Sequence, residues 1–187
     1  MGNERGRPWR VLSSTVLIDS RYLRLRSDAI ELPNGARINE YYVRETRGFA
    51  VIFPVTPQER VVLVRQYKHG INERVLELPA GAIDPGENAV DCAVRELAEE
   101  TGYAAPRDLE LIRAFITDPT NSDGRFSLFL ARDVELRFPQ KLDPTEEIDV
   151  ELASFEDLRR YVRDGTIAVN SHVASIYTTL DYLGKLS

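Results

Sequence analysis

Gly81-Ala82-Ile83-Asp84-Pro85-Gly86-Glu87 and, after seven residues, Arg95-Glu96-Leu97-Ala98-Glu99-Glu100-Thr101-Gly102-Tyr103 are the segments from which the rest of the chain is read. The second falls in a predicted helix over Asn88–Thr101, where apolar Val90, Ala93, Val94, Leu97 and Thr101 recur at helical spacing and Gly102 supplies the stop. At about 100° per residue, Glu96, Glu99 and Glu100 share an arc of about 100°, and Val90, Val94, Leu97 and Thr101 take the opposite side. Three carboxylates then crowd one turn near the helix C-terminus, where the macrodipole also disfavours negative charge. Like-charge pairs at this spacing cost roughly 0.2–0.5 kcal/mol each. A divalent cation reverses that sign, and oxygen-only ligands on a rigid element select the hard ions Mg²⁺ or Mn²⁺ over Zn²⁺. A bare Glu-x-x-Glu-Glu is more often a solvated acidic face. The nine specified positions taken together, however, match by chance in only about one chain in ten million.

Outward from this segment, strands and helices alternate. Ser14–Asp19 and Tyr22–Ser27 read as strands, the latter with period-2 alternation of Leu and Arg. Pro33-Asn34-Gly35 predicts a hairpin joining Ala29–Leu32 to Ala36–Arg44. Gly48 marks the boundary between an N-terminal β-hairpin unit, residues 1–47, and a larger domain, residues 48–187. Phe49–Val55, Val61–Gln66, Val75–Leu78, Leu109–Ile116 and Arg125–Ala131 are further predicted strands. Ser154 caps a predicted helix to about Asp164, and Ser171–Leu183 closes the chain with Val173, Ile176, Tyr177, Leu180 and Leu183 on one stripe. The mixed order predicts an α/β (α+β) domain.

The 187 residues bury one substantial core, with 43% apolar and 29% charged residues. No apolar stretch approaches the roughly 20 residues of a membrane-spanning helix, and no signal-peptide core follows the polar first eight residues. Net charge is −6 with no isolated basic block, which argues against loose nucleic-acid binding. The single Cys92 excludes an intrachain disulfide and, with the missing signal, predicts a cytoplasmic location.

The segment meets every specified position of the Nudix box, Gly-x5-Glu-x7-Arg-Glu-U-x-Glu-Glu-x-Gly-U with U apolar, and the chain resembles the Nudix hydrolases. The resemblance implies an α/β/α sandwich with a mixed sheet, preceded here by the small antiparallel β unit. It implies Glu96, Glu99 and Glu100 as ligands of Mg²⁺ (or Mn²⁺), with Glu87 and Arg95 pairing as structural support beside Gly81 and Gly102. Glu77-Leu78-Pro79-Ala80-Gly81 and Arg65-Gln66-Tyr67-Lys68 resemble stretches of ADP-ribose pyrophosphatases. That narrower resemblance adds the Ala80 carbonyl as a metal ligand and Lys68 as the diphosphate contact. Arg is usual at that place, and Lys turns a bidentate clamp into a point charge. It further implies a homodimer that exchanges N-terminal strands, with Tyr42, Arg44 and Glu45 as base contacts. The implied activity is cleavage of a nucleoside-diphosphate sugar: ADP-ribose first, GDP-mannose as the alternative, or binding without cleavage in a nucleotide-sugar sensor.

The chain departs from the subfamily after Ile116. Thr117-Asp118-Pro119-Thr120-Asn121-Ser122-Asp123-Gly124 has no Glu where a general base is expected. Either Asp123 or Glu99 activates the water, or the loop reads a different sugar, and such residues also form ordinary turns. His69 and His172 read as surface or helix-packing residues and Cys92 as an inert small side chain. Trp9, an isolated aromatic near the terminus, offers a ring for base stacking, and Tyr177 and Tyr182 read as core or dimer packing.

Overall fold

The computed structural model describes residues 8–105 and 108–186, so the expected polar tail lies, but for its last residue, outside the described residues. The chain divides into two compact units, Met1–Arg47 with Ile116–Arg125, and Gly48–Phe115 with Phe126–Ser187.

The first unit is a three-stranded antiparallel sheet in the order β1 (Arg10–Asp19), β2 (Arg24–Glu31), β3 (Arg37–Glu45). The predicted Tyr22–Ser27 and Ala29–Leu32 are one strand, in which the register shifts between Asp28 and Ile30. Such a bulge disrupts the alternation that would mark one continuous strand in the sequence. At the β2–β3 turn the Leu32 amide donates to Ala36 O at 2.8 Å, and Gly35 takes φ 84°, a conformation that favours glycine. Every residue of β1 is exposed, although it carries Val11, Leu12, Val16, Leu17 and Ile18.

The second unit is built on a seven-stranded mixed sheet. Its strands are β4 (Phe49–Val55), β5 (Val61–Lys68), β6 (Glu73–Glu77), β7 (Ala80–Ala82), β9 (Glu110–Ile116), β10 (Arg125–Arg132) and β12 (Ile148–Ala153). They run in the order β12-β5-β4-β10-β9, with β6 paired to β5 and β7 to β4. Strands β4 and β10 are parallel, from Phe49↔Phe126 to Val55↔Arg132. The short β8 (Tyr103–Ala104) and β11 (Glu135–Leu136) pair with each other. Strands β7, β8 and β11 have two or three residues, too few to show a periodicity; the six-residue β12 is also absent from the strands read from the sequence.

The apolar run of β4 serves both faces of the sheet, which explains its lack of alternation. Val51 and Phe53 join one core cluster, with Leu158 of α2 (Phe155–Asp164) and Ile176 and Leu180 of α3 (Asn170–Tyr182). Ala50 and Ile52 join the other, with Cys92, Ala93 and Leu97 of α1 (Ala89–Thr101). The result is an α/β/α sandwich with α1 alone on one side. Asn88 caps α1 by accepting the amides of Val90 and Asp91, and Ser154 with Asp157 forms a full capping box on α2. Tyr177 and Tyr182 are not core residues; both rings are about half exposed. Among the described residues no helix is long and apolar enough to cross a membrane.

Candidate active site

Helix α1 turns a different face inward from the one its valines suggest. Val94 is 54% exposed and Val90 is also exposed, whereas Cys92, Ala93, Leu97, Glu100 and Thr101 are buried. The small Cys92 and Ala93 let the helix lie close on the sheet, where two β-branched valines would hold it off. On the helical wheel this buried arc is centred near Ala93 and Glu100, so one box carboxylate sits in the middle of the packed face.

Glu100 is 5% exposed, and its Oε2 accepts the Ala80 amide at 2.9 Å. Burial pushes its carboxyl up to about 8; the Ala80 hydrogen bond and the charge of Lys68 pull the other way without cancelling it. Burial also raises the Glu96 carboxyl, against the opposing pull of Arg95. Gly81 leaves room for that side chain: a Cβ there would lie 1.9 Å from Glu96 Cδ and Oε1.

Arg95 ties these parts together. Its Nε and Nη2 hold Glu87 at 2.8 and 2.9 Å, while Nη1 reaches Glu96 at 2.6 Å and Glu99 at 3.1 Å. The guanidinium and the Asp84 amide hold the Glu87 carboxyl at about 2. Loop and helix are thereby fixed to each other through a bidentate charge-assisted pair. At the other end of α1, Gly102 takes φ 74° and a Cβ on it would lie 2.2 Å from Phe138 O. The segment after β11 satisfies the helix's last carbonyls: the Lys141 amide donates to Glu99 O at 2.9 Å and Gln140 Nε2 to Glu100 O at 2.6 Å. The backbone carrying two box glutamates is thus pinned from outside the helix, by residues that carry no sequence signal.

Among the described residues, no three Asp, Glu, His or Cys side chains converge as a ready metal cluster, because Arg95 holds Glu96 and Glu99 while Glu100 faces Ala80. The donor chemistry nevertheless fits a hard divalent ion. Three carboxylates share one helix turn, two of them are driven toward the neutral form by burial, and the glycine beside Glu96 leaves space that a Cβ would fill.

In the same unit, Lys68 Nζ stands 3.2 Å from Glu77 Oε2. His172 is buried rather than at the surface, with Nε2 3.3 Å from the other oxygen of Glu77. His69 is exposed beside Tyr67. In the first unit Tyr42 and Arg44 are exposed on β3. Glu45 is paired with Arg24 at 2.5 Å and with Arg26, which makes it a cross-link between β2 and β3. Asp123 Oδ1 accepts the Thr46 amide at 2.8 Å, and the Arg44 amide donates to Asn121 O at 2.8 Å, latching the 116–125 segment to the end of β3. Trp9 meets Tyr41 edge-on, with ring centroids 6.0 Å apart.

Residues 44–170 match the model of the NUDIX domain, and residues 9–43 match that of the nucleoside diphosphate sugar hydrolase N-terminal domain. The chain belongs to the Nudix family. This Nudix hydrolase is 30% identical over 154 residues to an ADP-ribose pyrophosphatase of Bacillus subtilis, covering 82% of each chain. It is 28% identical over 168 residues to a methanol dehydrogenase activator of Bacillus methanolicus, covering 89% of this chain and 90% of that protein. The ADP compounds hydrolase NudE of Escherichia coli is 29% identical over 136 residues, covering 73% of this chain and 71% of its own. A crystal structure of an ADP compounds hydrolase shares the fold, with a TM-score of 0.81 at 22% identity over 96% of this chain and 97% of that one.

Proposed function

We propose that this Nudix hydrolase cleaves the diphosphate bond of a nucleoside-diphosphate sugar, ADP-ribose foremost, yielding AMP and ribose 5-phosphate. The observation that carries this is the placement of Glu96, Glu99 and Glu100 on one turn of α1, with Glu100 buried and feeling the charge of Lys68. The name of the Bacillus subtilis relative and the matched N-terminal domain support the substrate class. When bound, a Mg²⁺ or Mn²⁺ ion supplies Lewis acidity toward the diphosphate oxygens and the attacking water. Glu96, Glu99, Glu100 and the Ala80 carbonyl are the proposed ligands, and Arg95 with Glu87 keeps the loop and helix in place. Lys68 meets the diphosphate as a point charge. Water oxygen bonds to one phosphorus, the bridging P–O bond breaks, and the proton released by the water goes to a carboxylate. Glu99 is our assignment for that acceptor, because it shares one turn of α1 with Glu96 and Glu100, the other proposed ligands. Tyr42 and Arg44 are carried forward as base contacts.

Two finer readings accompany the activity. The exposed apolar β1 is an unprotected sheet edge, and we assign a second copy of this chain to it. The chain's single cysteine, Cys92, is buried, with its thiol pushed up to about 12 mainly by burial, and from the cysteine count we assign the chain to a reducing cytoplasm.

The test is a panel of ADP-ribose, GDP-mannose, ADP-glucose, NADH and diadenosine polyphosphates with Mg²⁺, analysed by product and with EDTA as control. EDTA-sensitive cleavage of ADP-ribose to AMP is expected, and Glu100→Gln should lower kcat more than a hundredfold. Binding without turnover would favour a sensor; near-normal turnover of Glu100→Gln at saturating Mg²⁺ would remove the box from the chemistry.

A further inference from the structure

A chain of hydrogen bonds and ion pairs runs from α3 through the buried Glu77 to Lys68. On β5, Gln66 and Lys68 are two residues apart and share a face of the strand. Both reach Glu77 Oε2, Gln66 Nε2 at 3.1 Å and Lys68 Nζ at 3.2 Å. Glu77, at the end of β6, is 3% exposed, and its other oxygen lies 3.3 Å from His172 Nε2. His172 Nδ1 accepts the Leu78 amide at 3.2 Å. A ring nitrogen that accepts carries no proton, so this hydrogen bonding assigns the ring proton to Nε2, which donates to Glu77. Both Glu77 oxygens are therefore engaged, by different partners, and the plane of the carboxylate is fixed.

We propose that His172, acting through Glu77, is a positioning residue that aims the Lys68 ammonium at the diphosphate. This rests on the reading of Lys68 as the diphosphate contact. An arginine fork orients itself on phosphate by its planar geometry, whereas a lysine is a point charge on a flexible stem. The Lys68 side chain is 44% exposed, so its packing does not fix the ammonium. Glu77 supplies the anchor and His172 holds the anchor in one orientation. His172 is itself placed by α3, which lies in the core through Ile176 and Leu180. Without the Nε2 donor, Glu77 is left with one buried oxygen unpartnered. The carboxylate then turns toward its remaining donors and carries the ammonium with it.

The two nitrogens of His172 can be removed separately. His172→Gln keeps an amide donor near the Nε2 position, and His172→Asn keeps an acceptor near Nδ1 but lacks the donor to Glu77. Steady-state hydrolysis of ADP-ribose with Mg²⁺ and binding of imidodiphosphate by calorimetry are read at a temperature well below unfolding, with melting curves for each variant. Lys68→Met and the Lys68→Met/His172→Asn double variant complete the cycle. His172→Asn should raise KM and weaken imidodiphosphate binding about tenfold, as expected for one displaced charge-assisted contact. His172→Gln should stay within about threefold of wild type, and His172→Asn should add little in the Lys68→Met background. A structural strut would lower the melting temperature of both variants and leave KM and imidodiphosphate affinity unchanged, and that result overturns the proposal. Additive losses in the double variant overturn it too. Wild-type behaviour of Lys68→Met refutes the reading of Lys68 itself and the proposal with it. Failure of wild type to cleave ADP-ribose, with the imidodiphosphate pattern intact, refutes only the substrate.

Discussion

Replacing Glu100 by Gln is expected to stabilise the metal-free protein while destroying its activity. The Glu100 carboxyl is raised from its ordinary 4.5 to about 8, chiefly because burial disfavours the charged form. Between these values the folded protein holds a proton that the unfolded chain has lost, so stability falls as pH rises, by about 1.4 kcal/mol per pH unit from this group. The full rise corresponds to about 5 kcal/mol, reached above pH 8 and absent below about pH 4.5. Glutamine removes the ionisation and retains an oxygen for the Ala80 amide. Urea unfolding in EDTA at pH 5, 6.5 and 8 measures the gap between wild type and Glu100→Gln. The gap should widen by several kcal/mol in favour of the variant across this range. Added Mg²⁺ should close it, because an ion that binds the folded state stabilises wild type selectively. A gap that stays constant or narrows with pH in EDTA would show that Glu100 is not held desolvated.

Three further expectations follow from particular contacts. Gly81→Ala places a methyl group against the movable end of Glu96, so it should change unfolding free energy by less than about 1 kcal/mol yet weaken Mg²⁺ binding by calorimetry about tenfold. Asp123→Asn keeps an oxygen for the Thr46 amide and should retain kcat within about threefold if Glu99 is the proton acceptor; a loss of more than about a hundredfold would return that role to Asp123. Leu17→Lys, on the exposed β1, should alter folding stability by no more than about 0.5 kcal/mol but shift the chain from dimer to monomer in light scattering. An unchanged mass would separate β1 from assembly.

Local patterns were enough to place several elements of this protein. The cap at Ser154, the stop at Gly102 and the Asn34-Gly35 turn are side-chain or φ requirements met within a few residues of chain, so they can be read without knowing the fold. The same locality made the box legible, because its Glu, Arg and Gly residues lie on one loop and one helix. Which way α1 faces was decided only by packing. The wheel showed a stripe of Val90, Ala93, Val94, Leu97 and Thr101, of which the sheet kept Ala93, Leu97 and Thr101; a turn toward the small Cys92 buried Glu100 and left Val90 and Val94 in solvent. His172 meets the Leu78 amide 94 residues away in the chain, and Gln140 meets the Glu100 carbonyl 40 residues away. Contacts of that separation exist only once the sheet has formed, and no periodicity in the sequence encodes them. Residue type and spacing thus specified which groups are present, whereas the depth of Glu100 and the tether on Lys68 were set by the surfaces the sandwich brings together.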